Sequence, residues 1–151
     1  VHAQRLMHRA VHVFLFNSRG DFLLQMRSEH KDEHPLTYTS SCSGHVDAGE
    51  TYDAAAAREL TEELGLACPL FPLKKFAATP QLAMEHTMLY RAQSDEPPVI
   101  DEYEIAFVRF HPLGEVRQML ADEPHTFSPP LRELLQWYFA TFNDNSAAEP
   151  S

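Results

Sequence analysis

Apolar positions along the chain fall into short runs of strand length and longer segments of helical spacing. Ala10 to Phe16 is β-branched and aromatic, and predicts a buried strand. Asn17 to Asp21 carries the Asn, Gly and Asp of a turn, so Phe22 to Arg27 is expected to return as the second strand of a hairpin. Ser28 to Tyr38 is polar and contains Pro35, which predicts a loop, and Ser40 to Gly44 reads as a short strand. Thr51 to Leu64 is the clearest helix. Thr51 suits the N-cap, Asp53 the positive end, Ala54 to Ala57 have high propensity, and Gly65 stands where a helix stops. Ala57, Leu60 and Leu64 are its expected core-facing stripe. Leu73 to Ala78, Glu85 to Arg91 and Ile105 to Phe110 predict further strands, and Pro112 to Leu120 and Ser128 to Phe142 predict helices. Ser128 is the expected cap of the last helix, with Pro129 just inside its start, and Trp137, Tyr138, Phe139 and Phe142 as core aromatics. Asn143 to Ser151 is small and polar, and predicts a loose tail. The mixture points to one α/β or α+β domain over residues 1–142, with a tail at 143–151.

Composition narrows the function classes. A chain of 151 residues with 44% hydrophobic content can bury a core without disulfide or metal staples, and is not a disordered segment. A formal charge of −10 repels phosphate, which excludes general nucleic-acid binding. The same charge suits an enzyme for phosphorylated small molecules, provided metal ions supply local positive charge. Two cysteines, Cys42 and Cys68, are too few for a disulfide scaffold and fit a reduced, cytoplasmic setting. No apolar run is long enough to cross a membrane, and no signal peptide is visible. The opening at Val1 in place of Met implies a trimmed chain.

The chemistry concentrates between Gly44 and Leu66. A glycine-containing loop, Gly44-His45-Val46-Asp47-Ala48-Gly49-Glu50, leads into the helix. On that helix Glu59, Glu62 and Glu63 lie at i, i+3 and i+4, on one side. Like charges at that spacing oppose helix formation, so a bare cluster is worth keeping only against something positive. A solvated acidic face is the bland alternative. Carboxylate oxygens are hard ligands suited to Mg²⁺ or Mn²⁺, and such ions also bind diphosphate and activate water toward phosphorus. Glu50, two helical turns upstream, is placed to pair with Arg58 and hold loop and helix together.

The whole pattern settles between these. Gly44, five residues, Glu50, seven residues, then Arg58-Glu59-Leu60-Thr61-Glu62-Glu63-Leu64-Gly65-Leu66 resembles the Nudix box at every position. Its seven fixed identities would arise by chance at roughly one start position in 10⁹. The resemblance implies the Nudix α/β/α sandwich, with a mixed β-sheet between helices. It also implies metal-dependent cleavage of a nucleoside diphosphate derivative or a similar small diphosphate. By the same resemblance Glu59, Glu62 and Glu63 hold metal, Glu50 braces or helps coordinate with Arg58 as partner, and the carbonyl of Gly44 reaches a metal. The general base varies within the family.

A second resemblance covers most of the chain. His8-Arg9-Ala10-Val11-His12, Leu24 to Ser28, Lys31, Pro35, Ser43-Gly44-His45 and Phe127-Ser128-Pro129 are similar to the branch containing isopentenyl diphosphate isomerase. That likeness implies metal-site roles for His8 and His45, with Glu85 contributing as ligand or base. It also implies a cysteine immediately before the Gly-His pair and a tryptophan shielding a cationic intermediate. Here Ser43 stands at the cysteine position and His125 at the tryptophan position. Cys42 is one residue away, and in a strand that shift turns a side chain to the opposite face. A serine hydroxyl is not poised to protonate an alkene, so a hydrolase is favoured over the isomerase. Among other candidates, Arg27 and Lys31 suit substrate phosphate, His12 reads as a satisfied sheet residue, and Cys42 as a buried thiol. A nucleotide-sensing module without catalysis is the remaining rival.

Overall fold

A computed structural model describes residues 8–148, with side chains through Phe142. Seven strands form one mixed sheet: β1 Arg9–Phe16, β2 Phe22–Arg27, β3 Tyr38–Thr39, β4 Cys42–His45, β5 Phe71–Phe76, β6 His86–Gln93 and β7 Ile105–His111. Three helices complete it: α1 Tyr52–Leu64, α2 Leu113–Asp122 and α3 Pro129–Ala148. The β1–β6 pair is parallel, and the other pairings are antiparallel.

The sheet is covered on both faces, and β1 shows why its sequence is apolar throughout. Val11, Val13 and Leu15 pack on one face with Ala55, Ala56, Leu60 and Leu64 of α1. Phe14 and Phe16 pack on the other with Val116 of α2 and Leu131, Leu134 and Tyr138 of α3. The result is the α/β/α sandwich, with a separate core on each side of the sheet.

The central hairpin is parted. Strands β1 and β2 register only at Phe16 and Phe22. Beyond that point β1 takes β4 as its neighbour, while β2 takes β3 and β7. Ser41 stitches the fork: its hydroxyl accepts from the Leu15 amide at 2.9 Å and donates to the Leu23 carbonyl at 2.6 Å. The strand expected over Ser40 to Gly44 is β4, which begins only at Cys42; Ser40 and Ser41 lie between it and a further short strand, β3, on the other side of the fork.

Helix α1 is bounded as its caps predict. The Thr51 hydroxyl accepts from the Ala54 amide at 3.0 Å, and Gly65 closes the helix at φ 64°. Gly65→Ala would need left-handed backbone from an L-residue and bring a Cβ to 3.2 Å from that of Val99. The expected loss is about 1–2 kcal/mol, measured by urea unfolding. The apolar stripe differs by one position from the expected one. Ala57 is exposed, whereas Ala55 and Ala56 are buried with Leu60 and Leu64. Four consecutive alanines cannot mark a face by themselves, so Leu60 and Leu64 set the rotation.

Strand β5 begins at Phe71 instead of Leu73, since Pro72 is tolerated on an edge strand. The last helix is capped by Ser128, whose hydroxyl accepts from Leu131 at 3.4 Å. Its backbone stays helical through 143–148, past a non-helical Phe142 at φ −110° and ψ 17°, where a loose tail was expected. Residues 149–151 of that expected tail lie outside the described residues. Among the described residues, no helix is long and apolar enough to cross a membrane.

Candidate active site

The fork in the sheet opens into a cavity of about 460 Å³. Glu59, Glu63, Gly44, His45 and Glu85 line it, together with His12, Gln25, Arg27, Lys31 and Ser43. Residues from both faces of the sheet thus meet in one space. Of the other residues singled out from the sequence, Glu50 and Glu62 stand beside the cavity on Arg58. His8 is exposed at the start of β1 and is not part of the lining, and its carbonyl accepts from the His86 amide at 3.1 Å.

Arg58 is the hub of the carboxylates. It donates through Nε and Nη2 to Glu50 at 2.8 and 3.0 Å, and through Nη1 to Glu59 at 2.9 Å and Glu62 at 3.3 Å. Nη2 also donates to the His45 carbonyl at 2.9 Å. Loop and helix are tied in the way the spacing of Glu50 and Arg58 predicts. Arg58 holds the Glu50 carboxyl down at about 2, and Glu50 in turn pushes the guanidinium up. Glu59 lies under Gly44, where a Cβ would sit 2.1 Å from its Cδ. That close approach, with no positive φ, is the reason for glycine at this position.

Glu63 points between the parted strands. Its Oε1 accepts from the Ser43 amide at 3.2 Å and from Gln25 Nε2 at 3.3 Å. Removal from water, followed by the charge of Glu59, raises its carboxyl to about 7. Burial likewise raises Glu59, against the pull of Arg58. Across the cavity, His45 Nε2 lies 2.5 Å from Glu85 Oε2, and that hydrogen bond raises the imidazole.

His12 is the satisfied sheet residue its apolar neighbours predict, with Nδ1 2.7 Å from Ser40 Oγ, and it also lines the cavity. At 7% exposure, burial lowers its pKa from 6.5 to about 4. The fold therefore holds it neutral while the unfolded chain takes up a proton. Its contribution to stability is full above pH 6.5 and is lost as pH falls toward 4, by about 3 kcal/mol. Urea unfolding from pH 7.5 to 4 should show a steeper loss for the native chain than for His12→Gln.

The donor set fits a hard divalent cation by its chemistry: carboxylate oxygens on one helix, two of them raised by burial and mutual repulsion. Among the described residues, no three His, Cys, Asp or Glu side chains converge on one ion position. Glu59 and Glu62 pair with Arg58, while Glu63 is held by Ser43 and Gln25.

Two residues that sequence reasoning did not assign to the site emerge here. Gln25 donates to both Ser41 O, at 2.9 Å, and Glu63, and so aims the glutamate. The signal available was a polar residue within the apolar run Phe22 to Met26. Asp47, 3.6 Å from Arg58, lines the cavity from the loop. His125, at the position of the shielding tryptophan, is exposed on a short 3-10 turn, Pro124–Thr126, outside the cavity lining.

A three-layer sandwich with a carboxylate helix beside a split sheet defines the Nudix class. The family model described as NUDIX domain matches residues 6–138, and the chain belongs to that family. It is 36% identical over 146 residues to an isopentenyl-diphosphate Delta-isomerase of Nocardia farcinica, covering 93% of this chain and 83% of the relative. It is 31% identical over 144 residues to Nudix hydrolase 3 of Arabidopsis thaliana, covering 85% of this chain but 19% of that much longer protein. The crystal structure of DR0079 from Deinococcus radiodurans matches with TM-score 0.75 and 28% identity, over 85% of this chain and 80% of that one. The first of these relatives is named as an isomerase and the second as a Nudix hydrolase.

Proposed function

We propose that the chain is a metal-dependent hydrolase of a small diphosphate. The observation that carries this reading is the orientation of two neighbours on β4. Ser43, paired with His12, lines the cavity, while Cys42 is 0% exposed in the core beneath α1. Burial raises the Cys42 thiol well above its usual value. A proton donor for an alkene is thus missing where the isomerase resemblance requires one, whereas the carboxylates that hydrolysis needs are all present.

When bound, Mg²⁺ or Mn²⁺ would neutralise diphosphate charge and acidify water. Glu59 and Glu63 would hold it, with Glu62 and the Gly44 carbonyl in reach of the same edge. Arg58 and Glu50 keep loop and helix in register. Arg27 and Lys31 supply the positive charge of the opposite wall to phosphate oxygens. Water attacks phosphorus, its proton passes to Glu85 beside His45, and the bridging P–O bond breaks with departure of the phosphate.

A phosphate-release screen tests the reading with nucleoside diphosphates and triphosphates, nucleotide sugars, dinucleoside polyphosphates and isopentenyl diphosphate. Chelator-sensitive release is the expected result. Isomerisation is the second reading, favoured by the 36% identical relative. Allylic product from isopentenyl diphosphate, without phosphate release from any compound, would establish it and overturn hydrolysis.

A further inference from the structure

We infer that His12 is a further ligand-binding residue of the site, whose Nε2–H donates a hydrogen bond to an oxygen of the bound diphosphate. The inference rests on the diphosphate of the hydrolase reading and adds a contact from the central strand β1.

A buried partner fixes which ring nitrogen carries the proton. Ser40 is 0% exposed, and among the described residues its hydroxyl meets only His12 Nδ1, at 2.7 Å. A hydroxyl has one proton to donate and, shut away from water, needs an acceptor for it. With a proton on Nδ1, two donors would face each other and the Ser40 proton would be stranded. With the Ser40 hydroxyl donating to Nδ1, both groups are satisfied. The neutral ring has a single N–H, which then sits on Nε2.

That nitrogen opens on the cavity. Nε2 has no protein partner among the described residues, yet it is not enclosed as Nε2 of His111 is. His12 lines the cavity, and the ring edge away from Ser40 is the one that reaches it. The ring is firmly seated: His12 stands opposite Ser43 in the β1–β4 pair, and Phe14 and Phe16, which follow it on the same face of β1, are packed in a core.

The carboxylates that the mechanism uses already have donors. Glu59 accepts from Arg58, Glu63 from Ser43 and Gln25, and Glu85 is paired with His45; none accepts from His12. The matching acceptor therefore arrives with the ligand. Arg27 and Lys31 line the same cavity and select an anionic oxygen, that of a phosphate. A protonated Nε2 is also no metal ligand, because an ion would need its lone pair.

Nitrogen-15 NMR of the histidine side chains at pH 7 reads the tautomer, with His12 assigned by the loss of its signals in His12→Gln. The proton should be on Nε2. Titration calorimetry then measures binding of methylenediphosphonate with Mg²⁺. His12→Leu combined with Ser40→Ala, which leaves no orphaned hydroxyl, should weaken binding roughly ten- to a hundredfold, the loss of one hydrogen bond to a charged group. Binding of Mg²⁺ alone should not change. His12→Gln, whose amide N–H stands in for Nε2–H, should keep most of the affinity. A proton on Nδ1, unchanged affinity in the double variant, a loss that Mg²⁺ alone shares, or no retention by glutamine overturns the inference and leaves the hydrolase reading standing. Methylenediphosphonate that fails to bind the native chain overturns both.

Discussion

Glu63→Gln is expected to lower kcat about a thousandfold while making the metal-free protein more stable. Loss of a carboxylate that fixes a catalytic ion forfeits several kcal/mol of transition-state stabilisation, at about 1.4 kcal/mol per tenfold. The amide keeps the shape of the carboxyl, and its oxygen takes over the hydrogen bonds from Ser43 and Gln25. The stability gain follows from linkage. A carboxyl raised from 4.5 to about 7 binds its proton more tightly in the fold than in the unfolded chain. Folding stability is therefore full below pH 4.5 and falls as pH rises through 7. Glutamine never ionises and escapes the loss, about 2 kcal/mol at pH 8 once partial exposure is allowed for. Thermal melts with chelator at pH 8 and at pH 4.5 check this: the variant should melt higher at pH 8, with the gap closing at pH 4.5. Added Mg²⁺ should stabilise the native chain and have little effect on the variant. Near-native turnover in Glu63→Gln would sink the assignment of the carboxylate helix.

Gly44→Ala is the second change with a large expected effect. The added methyl would occupy the space of the Glu59 carboxyl, 2.1 Å from Cδ and 2.2 Å from Oε2. Glu59 must leave its seat, and its bond to Arg58 goes with it. Misplacing a reacting group by about 1 Å costs on the order of a hundredfold in rate, and that loss in kcat is expected here. The fold should survive, because the three nearest atoms all belong to the end of the flexible Glu59 side chain. Steady-state kinetics beside far-ultraviolet circular dichroism would show it. Unchanged kcat would mean that Glu59 does not need its place beneath β4.

The parts of the fold that were legible in the sequence are those with local causes. Helix α1 could be read from its caps, Thr51 and Gly65, and its chemistry from fixed carboxylate spacing. The apolar run of β1 announced a strand because it is buried on both sides. Local signals could not show that Ser40 and Ser41 separate two strands with different partners, since that depends on β4 entering the central hairpin. Ala57 was misplaced because an alanine run has no preferred face. The rings of His30 and Tyr103, stacked 4.3 Å apart between centroids, join two loops far apart in sequence, and neither residue carries a pattern that foretells the other. The role of Gln25 is also long-range, since its target, Glu63, lies on another layer.

The parting of β1 and β2 has a consequence for how such a site can change over generations. One wall of the cavity rises from the layer of α1, with Glu59, Glu63 and Gln25. The other comes from the opposite layer, with His12 of β1 and Ser128 at the start of α3. Each wall answers to its own core, built from different side chains. Substitutions that reshape one core leave the other in place. Inherited reaction chemistry and newly acquired taste in substrates can thus drift separately within one small domain.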